Sequence, residues 1–197
     1  MNLPNKLSLL RIFLVPVFVS TFYLSWEYSR IVSAGIFVLA TLTDFLDGYI
    51  ARKNNLVTDL GKLLDPIADK LLVTSALFCV VSAASTPFYT MLLAICSAVI
   101  VGRELLVSAI RQIAASKGVV VAANAFGKIK TVLQDLALPL VVLLQCPAFV
   151  KLVENDVAYN VLQLCSIVLF ALATLATIVS GVIYVVQNKK VFGGANQ

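Results

Sequence analysis

The chain has 197 residues, of which 60% are hydrophobic and 13% are charged, and its mean hydropathy is +0.98. Soluble domains carry about 25% charged residues, so this composition excludes an ordinary soluble protein and places the chain in a membrane. The 15 basic residues outnumber the 10 acidic residues, and histidine is absent. Histidine-based nucleophilic triads and histidine-ligated zinc are therefore excluded, which leaves carboxylates, lysine, tyrosine or water to transfer protons.

Apolar stretches of similar length follow one another along the chain, and no internal repeat divides residues 1–197 into more than one domain. Most are close to the ~20 residues that a membrane-spanning helix requires. The fifth is the shortest and contains Asp135 and Pro139, so it is the least secure span. The sequence predicts an all-α integral membrane protein, a bundle of six transmembrane helices formed by Leu7–Trp26, Ile31–Ile50, Leu63–Ala84, Phe88–Ile113, Ile129–Gln145 and Val157–Val186.

Basic residues are distributed unevenly between the two ends of such a bundle. If both termini lie on one side, the opposite side receives only Arg30 and Lys151. Because cytoplasmic segments are rich in lysine and arginine, both termini are expected in the cytoplasm. The residues on the predicted cytoplasmic side are Lys6, Arg11, Arg52, Lys53, Lys62, Lys70, Arg103, Arg111, Lys117, Lys128, Lys130, Lys189 and Lys190.

Four aspartates lie close together at the predicted cytoplasmic ends of the second and third stretches. Asp44 and Asp47 are three residues apart, and Asp65 and Asp69 are four apart, so each pair shares one face of a helix. Small residues beside the carboxylates let two helices, or a helix and a ligand, approach closely. These small residues are Gly48, Ala51, Gly61 and Ala68.

Four ionised carboxylates in a membrane require compensation. One aspartate at the centre of a spanning helix costs about 2.5–3.5 kcal/mol, and less near the interface. Bound Mg²⁺ or Mn²⁺ would neutralise the cluster, because both cations prefer oxygen ligands. The alternative is a solvated rim in which the aspartates pair with basic neighbours and bind nothing. Those neighbours are Arg52, Lys53, Lys62 and Lys70.

The aspartates and small residues form one pattern, Asp44-x2-Asp47-Gly48-x2-Ala51-Arg52-x8-Gly61-x3-Asp65-x3-Asp69. This pattern resembles the full signature of the CDP-alcohol phosphotransferases, with every specified position filled. The family is built on a six-helix membrane bundle, which agrees with the number of apolar stretches. The resemblance implies an enzyme that displaces CMP from a CDP-linked lipid with an acceptor alcohol.

The resemblance also implies a role for each residue of the pattern. Asp44, Asp47 and Asp65 would bind two divalent ions, Mg²⁺ or Mn²⁺. Asp69 would act as general base on the acceptor hydroxyl and would also contact the second metal. Such a site suits the chemistry, since metals neutralise charge on the leaving CMP while a carboxylate takes the proton. The nucleotide would lie against Gly48, Ala51, Arg52 and Gly61.

A second informative stretch is GRELLVSAIRQIAASKGVVVAANAFGKIKT, Gly102–Thr131. Arg103 and Arg111 fall on one helical face, and Lys128 and Lys130 follow after a loop. Such a set suits a phosphate-bearing acceptor, although basic residues at this depth also contact lipid headgroups. The stretch resembles the branch of the family whose acceptor is sn-glycerol 3-phosphate. The implied reaction converts CDP-diacylglycerol and sn-glycerol 3-phosphate into phosphatidylglycerophosphate and CMP.

Three alternatives stay open at this point. The acceptor could be inositol phosphate, serine or another polyol. A Mg²⁺-dependent membrane prenyltransferase also holds a diphosphate through aspartates, and a divalent-cation carrier could use them as a transport site. Under the favoured interpretation, the protein is a multi-pass protein of the bacterial inner or plasma membrane, with its active site facing the cytoplasm. Its partners would be the two substrates, membrane lipids and a second copy in a homodimer, with no nucleic acid.

Overall fold

The computed structural model describes residues 3–54, 59–116, 125–153 and 155–188, without the side chains of residues 3, 4, 45–54, 59–63, 65, 116 and 125. The regular structure of this part of the chain is entirely α-helical, which confirms the predicted all-α class. The helices are α1 (Leu3–Tyr23), α2 (Ser29–Asn54), α3 (Asp59–Ser82), α4 (Pro87–Ser116), α5 (Ala125–Leu144), α6 (Pro147–Val153) and α7 (Asp156–Gln187).

Three of the described helices, α1, α4 and α7, are long and apolar enough to cross a membrane. Helices α5 and α6 meet the same criteria as a pair, bent by 89° where they join, and would provide a fourth crossing. Large apolar side chains cover much of the outer surface, among them Phe13, Phe78 and Leu164. An apolar exterior of this kind is stable in contact with lipid chains. The chain is therefore a helical membrane protein, while the count of six crossings stays a prediction.

The fifth helix ends at Leu144, within one residue of the predicted end at Gln145. The sharp turn that follows it, into the short helix α6, was not predicted from the sequence. Backbone and side chain of Gln145 hold the turn: its carbonyl accepts a hydrogen bond from Arg30, and its Nε2 donates to the carbonyl of Val80 at 2.8 Å. These partners lie far away in sequence, so the turn depends on tertiary contacts.

The interior combines an aromatic cluster with small residues. Phe18 and Phe22 of α1 pack with Phe37 of α2, with ring centroids of Phe18 and Phe37 6.0 Å apart. Helix α5 packs against α2, α3 and α7, and α4 packs against α3 and α7. Ala137 of α5 and Ala173 of α7 are fully buried, which lets helices approach closely. This packing brings one end of α2, α3, α4, α5 and α7 together around a polar region.

Candidate active site

Two adjoining cavities occupy the polar end of the bundle, and they share Asp69, Lys70, Arg103, Glu104 and Arg111. We call the first the aspartate cavity, a space of about 260 Å³. Its lining is completed by Asp44, Pro66, Val107 and Ser108. We call the second the basic cavity, a space of about 240 Å³. Its lining is completed by Val73, Thr74, Ile100, Val101, Gly127, Lys128, Lys130, Thr131, Gln134 and Asp135.

Among the pattern's aspartates with described side chains, Asp69 lines both cavities and Asp44 lines one of them. The first turns of α3 carry Asp69, and its side chain is exposed to the cavities. Apolar side chains of α4 also line the cavities, Ile100 in the basic cavity and Val107 in the aspartate cavity, and they confine the polar groups to this end of the bundle. Asp69 can therefore contact molecules held in either cavity.

Asp44 is anchored by an arginine from another helix. Nη1 of Arg11 in α1 lies 2.6 Å from Oδ1 of Asp44 in α2. The side chain of Arg11 is only 1% exposed, whereas that of Asp44 is 46% exposed. A buried guanidinium thus holds one carboxylate oxygen and fixes the direction of the side chain. From the sequence, Arg11 was predicted only as one of the charges that orient the bundle, although a charged residue within an apolar stretch is itself a signal of pairing or function.

The four basic residues predicted to bind the acceptor phosphate line the basic cavity together. Arg103 and Arg111 reach it from α4, and Lys128 and Lys130 reach it from the first turns of α5. The cavity wall also carries Lys70, so five basic residues face three acidic ones, Asp69, Glu104 and Asp135. The cavity therefore has an excess of positive charge, as a phosphate site requires.

Glu104 connects two of these basic side chains. Its Oε1 accepts a hydrogen bond from Nη1 of Arg103 at 3.1 Å and forms an ion pair with Nζ of Lys130. Arg103 also donates from Nη2 to the hydroxyl of Ser180 in α7 at 3.0 Å. Arg103 is consequently fixed between α4 and α7, with its charge at the cavity wall. Arg103 and Lys130 were predicted from the sequence as site residues, but the glutamate that connects them was not.

Arg111 contacts α7 one turn further along that helix. Its Nε donates to the hydroxyl of Tyr184 at 3.3 Å, and its guanidinium carbon lies 5.6 Å from the centre of the ring. Contact with an aromatic face holds an arginine in place without neutralising it. Arg111 thus keeps a full positive charge at the cavity wall.

The remaining residues of the predicted pattern lie in α2 or α3, but their side chains fall outside the described part of the structure. Those residues are Asp47, Gly48, Ala51, Arg52, Gly61 and Asp65. Among the residues whose side chains are described, no group of three acidic, cysteine or histidine side chains could hold a metal ion. Asp44 and Asp69 nevertheless line the same cavity, and their donors are carboxylate oxygens, which fit Mg²⁺ and Mn²⁺.

Two further polar residues of the basic cavity were not identified as site residues from the sequence. Gln134 and Asp135 lie about one turn beyond Lys130 on α5. Their signal in the sequence was the interruption of an apolar stretch by a polar pair. That interruption was interpreted only as a weakness of the fifth predicted span.

Fold and site together define a helical membrane protein with a carboxylate-lined cavity beside a basic one, an arrangement suited to joining two phosphate-containing molecules. Comparison with known families identifies it further: residues 1–186 match the CDP-alcohol phosphatidyltransferase family, and the chain belongs to that family. The resemblance read from the aspartate pattern is thereby confirmed. Because the chain belongs to this family, the two alternatives outside it, a membrane prenyltransferase and a divalent-cation carrier, are excluded.

Known relatives are similar in sequence to this chain over most of their own length. A protein of Rickettsia bellii is 40% identical over 191 residues, which cover 97% of each chain. A Bacillus subtilis protein is 40% identical over 74% of this chain and 79% of its own length. An Arabidopsis thaliana protein is 36% identical over 79% of this chain and 70% of its own. The first two are named CDP-diacylglycerol–glycerol-3-phosphate 3-phosphatidyltransferase, and the third bears the same name with the number 2.

Proposed function

We propose that this enzyme transfers the phosphatidyl group of CDP-diacylglycerol to sn-glycerol 3-phosphate, releasing CMP and forming phosphatidylglycerophosphate. The similarity to relatives named for this reaction supports the proposal. The observation that carries it is the position of Asp69 on the wall shared by the two cavities. A base at that position can reach an acceptor in one cavity while the lipid diphosphate occupies the other.

The basic cavity is the proposed acceptor site. Its volume of about 240 Å³ is below the ~300–1,000 Å³ typical of sites for drug-sized ligands. A cavity of this size suits a small polar molecule, and its excess of basic side chains distinguishes it from the aspartate cavity, which has a similar volume. Arg103, Arg111, Lys128 and Lys130 would bind the phosphate of the acceptor, since guanidinium and ammonium groups form charge-assisted hydrogen bonds with phosphate oxygens.

The aspartate cavity is the proposed site of the diphosphate. The family generally depends on divalent metals, and we assign Asp44, Asp47, Asp65 and Asp69 as ligands of two ions, Mg²⁺ or Mn²⁺. When bound, such ions neutralise the diphosphate and stabilise the charge on departing CMP. Arg11 would keep Asp44 directed at the cavity, because their ion pair fixes the carboxylate. The nucleotide would contact Gly48, Ala51, Arg52 and Gly61.

The chemical step needs one proton acceptor. The primary hydroxyl of glycerol 3-phosphate attacks the phosphorus that carries the diacylglycerol, and Asp69 removes the hydroxyl proton. A new P–O bond forms as the bond between this phosphorus and the bridging oxygen breaks, and CMP leaves with the bonding electrons. Positioning both substrates against one carboxylate makes the attack effectively intramolecular.

The proposal includes an arrangement in the membrane. Six crossings would place both termini and the two cavities on the cytoplasmic side of the bacterial cell membrane, where the water-soluble acceptor and CMP are found. The concentration of basic residues at this end supports that orientation. Two copies would associate as a homodimer, as the family resemblance implies.

An acceptor panel tests the proposal. Purified protein in mixed micelles is supplied with CDP-diacylglycerol and one acceptor: glycerol 3-phosphate, inositol phosphate, serine or glycerol. Each acceptor is tested with Mg²⁺, with Mn²⁺ and with EDTA. We expect CMP release only when glycerol 3-phosphate and a divalent ion are both present. A faster reaction with inositol phosphate or serine would replace the proposed acceptor. Release that is unchanged by EDTA would contradict the assigned role of the aspartates.

A further inference from the structure

The side chain of Gln134 is buried in the wall of the basic cavity, and its amide oxygen has no hydrogen-bond partner among the described residues. The residue is only 2% exposed. Gln145, near the other end of the bundle, also has an unpartnered Oε1, but its amide is anchored by the bond from Nε2 to the carbonyl of Val80. Buried side-chain amides are nearly always hydrogen-bonded, so Gln134 lacks a contact that a ligand can supply.

Gln134 occupies a defined place relative to the proposed acceptor. It follows Lys130 by four residues on α5, which puts it on the same face about 6 Å further along the helix. An acceptor with its phosphate at Lys130 and its primary hydroxyl at Asp69 presents the carbon between them to the cavity wall. In glycerol 3-phosphate that carbon carries the second hydroxyl.

We propose that the Gln134 amide hydrogen-bonds the second hydroxyl of the acceptor and thereby selects glycerol phosphate over phosphorylated alcohols that lack it. The inference rests on the proposed function and adds a specificity-determining residue to it. A half-turn of the amide exchanges its oxygen and nitrogen, so the group can accept from the hydroxyl or donate to it. An acceptor without this hydroxyl leaves the buried amide unpaired, which is the basis of the discrimination.

Neighbouring acidic residues are less suited to this contact. Glu104 is occupied by Arg103 and Lys130, and Asp135 would add a negative charge beside an acceptor that already carries a phosphate dianion. The amide is neutral, so it recognises the hydroxyl without repelling the phosphate.

The test compares two acceptors that differ only in the second hydroxyl, glycerol 3-phosphate and 3-hydroxypropyl phosphate. CMP release from CDP-diacylglycerol gives kcat/KM for each acceptor with the wild-type protein, Gln134→Met and Gln145→Met. Methionine keeps the length of glutamine without its amide, and Gln145→Met applies the same change outside the basic cavity. Loss of one neutral hydrogen bond corresponds to about a tenfold change.

We expect the wild type and Gln145→Met to prefer glycerol 3-phosphate about tenfold, and Gln134→Met to use both acceptors at the lower rate. If the wild-type protein has the same kcat/KM for the two acceptors, the inference is overturned, and this result can be obtained without any variant. A Gln134→Met protein that loses activity toward both acceptors in the same proportion would also overturn it, because that pattern indicates packing. If CMP is released with neither acceptor but with another alcohol, the proposed function fails and this inference fails with it.

Discussion

Arg11 shows how one buried residue can determine the geometry of a proposed metal ligand. Its pair with Asp44 joins α1 to α2, and only the carboxylate has access to solvent. Replacing Arg11 with Met removes the ion pair and leaves Asp44 free to turn. We expect the free energy of unfolding in detergent to fall by about 1.5–3 kcal/mol, the contribution of a hydrogen bond to a charged group, and CMP release to fall with it.

The matched control is Lys6→Met, which also replaces a basic residue with methionine but at an exposed position of α1. It should leave the thermal transition and the activity close to those of the wild type. Arg11→Lys keeps the charge and should retain part of the stability. If Arg11→Met is as stable and active as Lys6→Met, the ion pair does not position Asp44.

Asp69 is the residue on which the proposed chemistry depends. The change Asp69→Asn keeps the shape of the side chain but removes the proton acceptor, so turnover should fall about 10²- to 10⁴-fold. Binding of CDP-diacylglycerol should change far less, since the diphosphate contacts several other groups. Initial rates of CMP release, with lipid binding measured separately, distinguish the two effects.

Asp156→Asn provides a control for that variant, because Asp156 begins α7 at the opposite end of the bundle. Its turnover should equal that of the wild type. Near-normal turnover by Asp69→Asn would eliminate Asp69 as the base, whatever its effect on binding.

Residue identities at the site were more predictable than their contacts. The spacing of Asp44 and Asp69 and the basic character of residues 103–130 are visible in the sequence, and the structure places these residues around adjoining cavities. The pair of Arg11 with Asp44 joins residues 33 positions apart, and that of Glu104 with Lys130 joins residues 26 apart. Neither separation corresponds to a helical repeat, so these contacts follow only from the packing of helices.

At the scale of helices, the contact of α4 with α7 fixes Arg103. A Cβ built on Gly181 would lie 3.0 Å from Cγ of Arg103, which is tighter than an ordinary van der Waals contact, so the arginine stem would have to shift to make room. Gly181→Ala should displace Arg103 and reduce kcat/KM for glycerol 3-phosphate about fivefold or more, through overpacking. Acceptor kinetics at saturating CDP-diacylglycerol measure the effect.

Gly102 supplies a control within the partner helix. A Cβ at Gly102 meets nothing within 4 Å. Because alanine is also the better helix former, Gly102→Ala should keep wild-type activity and stability. Equal kinetics for the Gly181→Ala and Gly102→Ala proteins would show that the close contact does not position Arg103 for the acceptor.

Helix positions were largely predictable because the apolar stretches are bounded by polar segments. The predicted span Val157–Val186 corresponds to α7 within one residue at each end, and a side-chain cap explains its start: Oδ1 of Asn155 accepts from the backbone N–H groups of Val157 and Ala158. The bend between α5 and α6 was not predictable, since Arg30 and Val80 hold it from other helices.

In the whole molecule, the basic residues are concentrated at one end of the helical bundle. The two cavities and their basic residues lie at one end, while Arg30 and Lys151 lie at the other, where Lys151 pairs with Glu27 at 2.8 Å. In a membrane this asymmetry sets the orientation, since lysine and arginine are retained on the cytoplasmic side. Hydropathy alone could not supply the direction, because apolar spans are equally stable in either orientation.

Labelling of single cysteines tests this orientation. In a background with Cys79, Cys96, Cys146 and Cys165 replaced by alanine, Lys151→Cys should react with a membrane-impermeant maleimide added to intact spheroplasts, because the side chain at this position is 75% exposed. Loss of its exposed ion pair should cost little stability. Lys190→Cys should react only after the membrane is permeabilised. Labelling of Lys190→Cys from outside would place the carboxyl terminus outside the cell. Reaction of both cysteines from the same side of the membrane would contradict a membrane crossing by α7, which lies between them. Retained CMP release in each variant shows that the labelled protein is the folded enzyme.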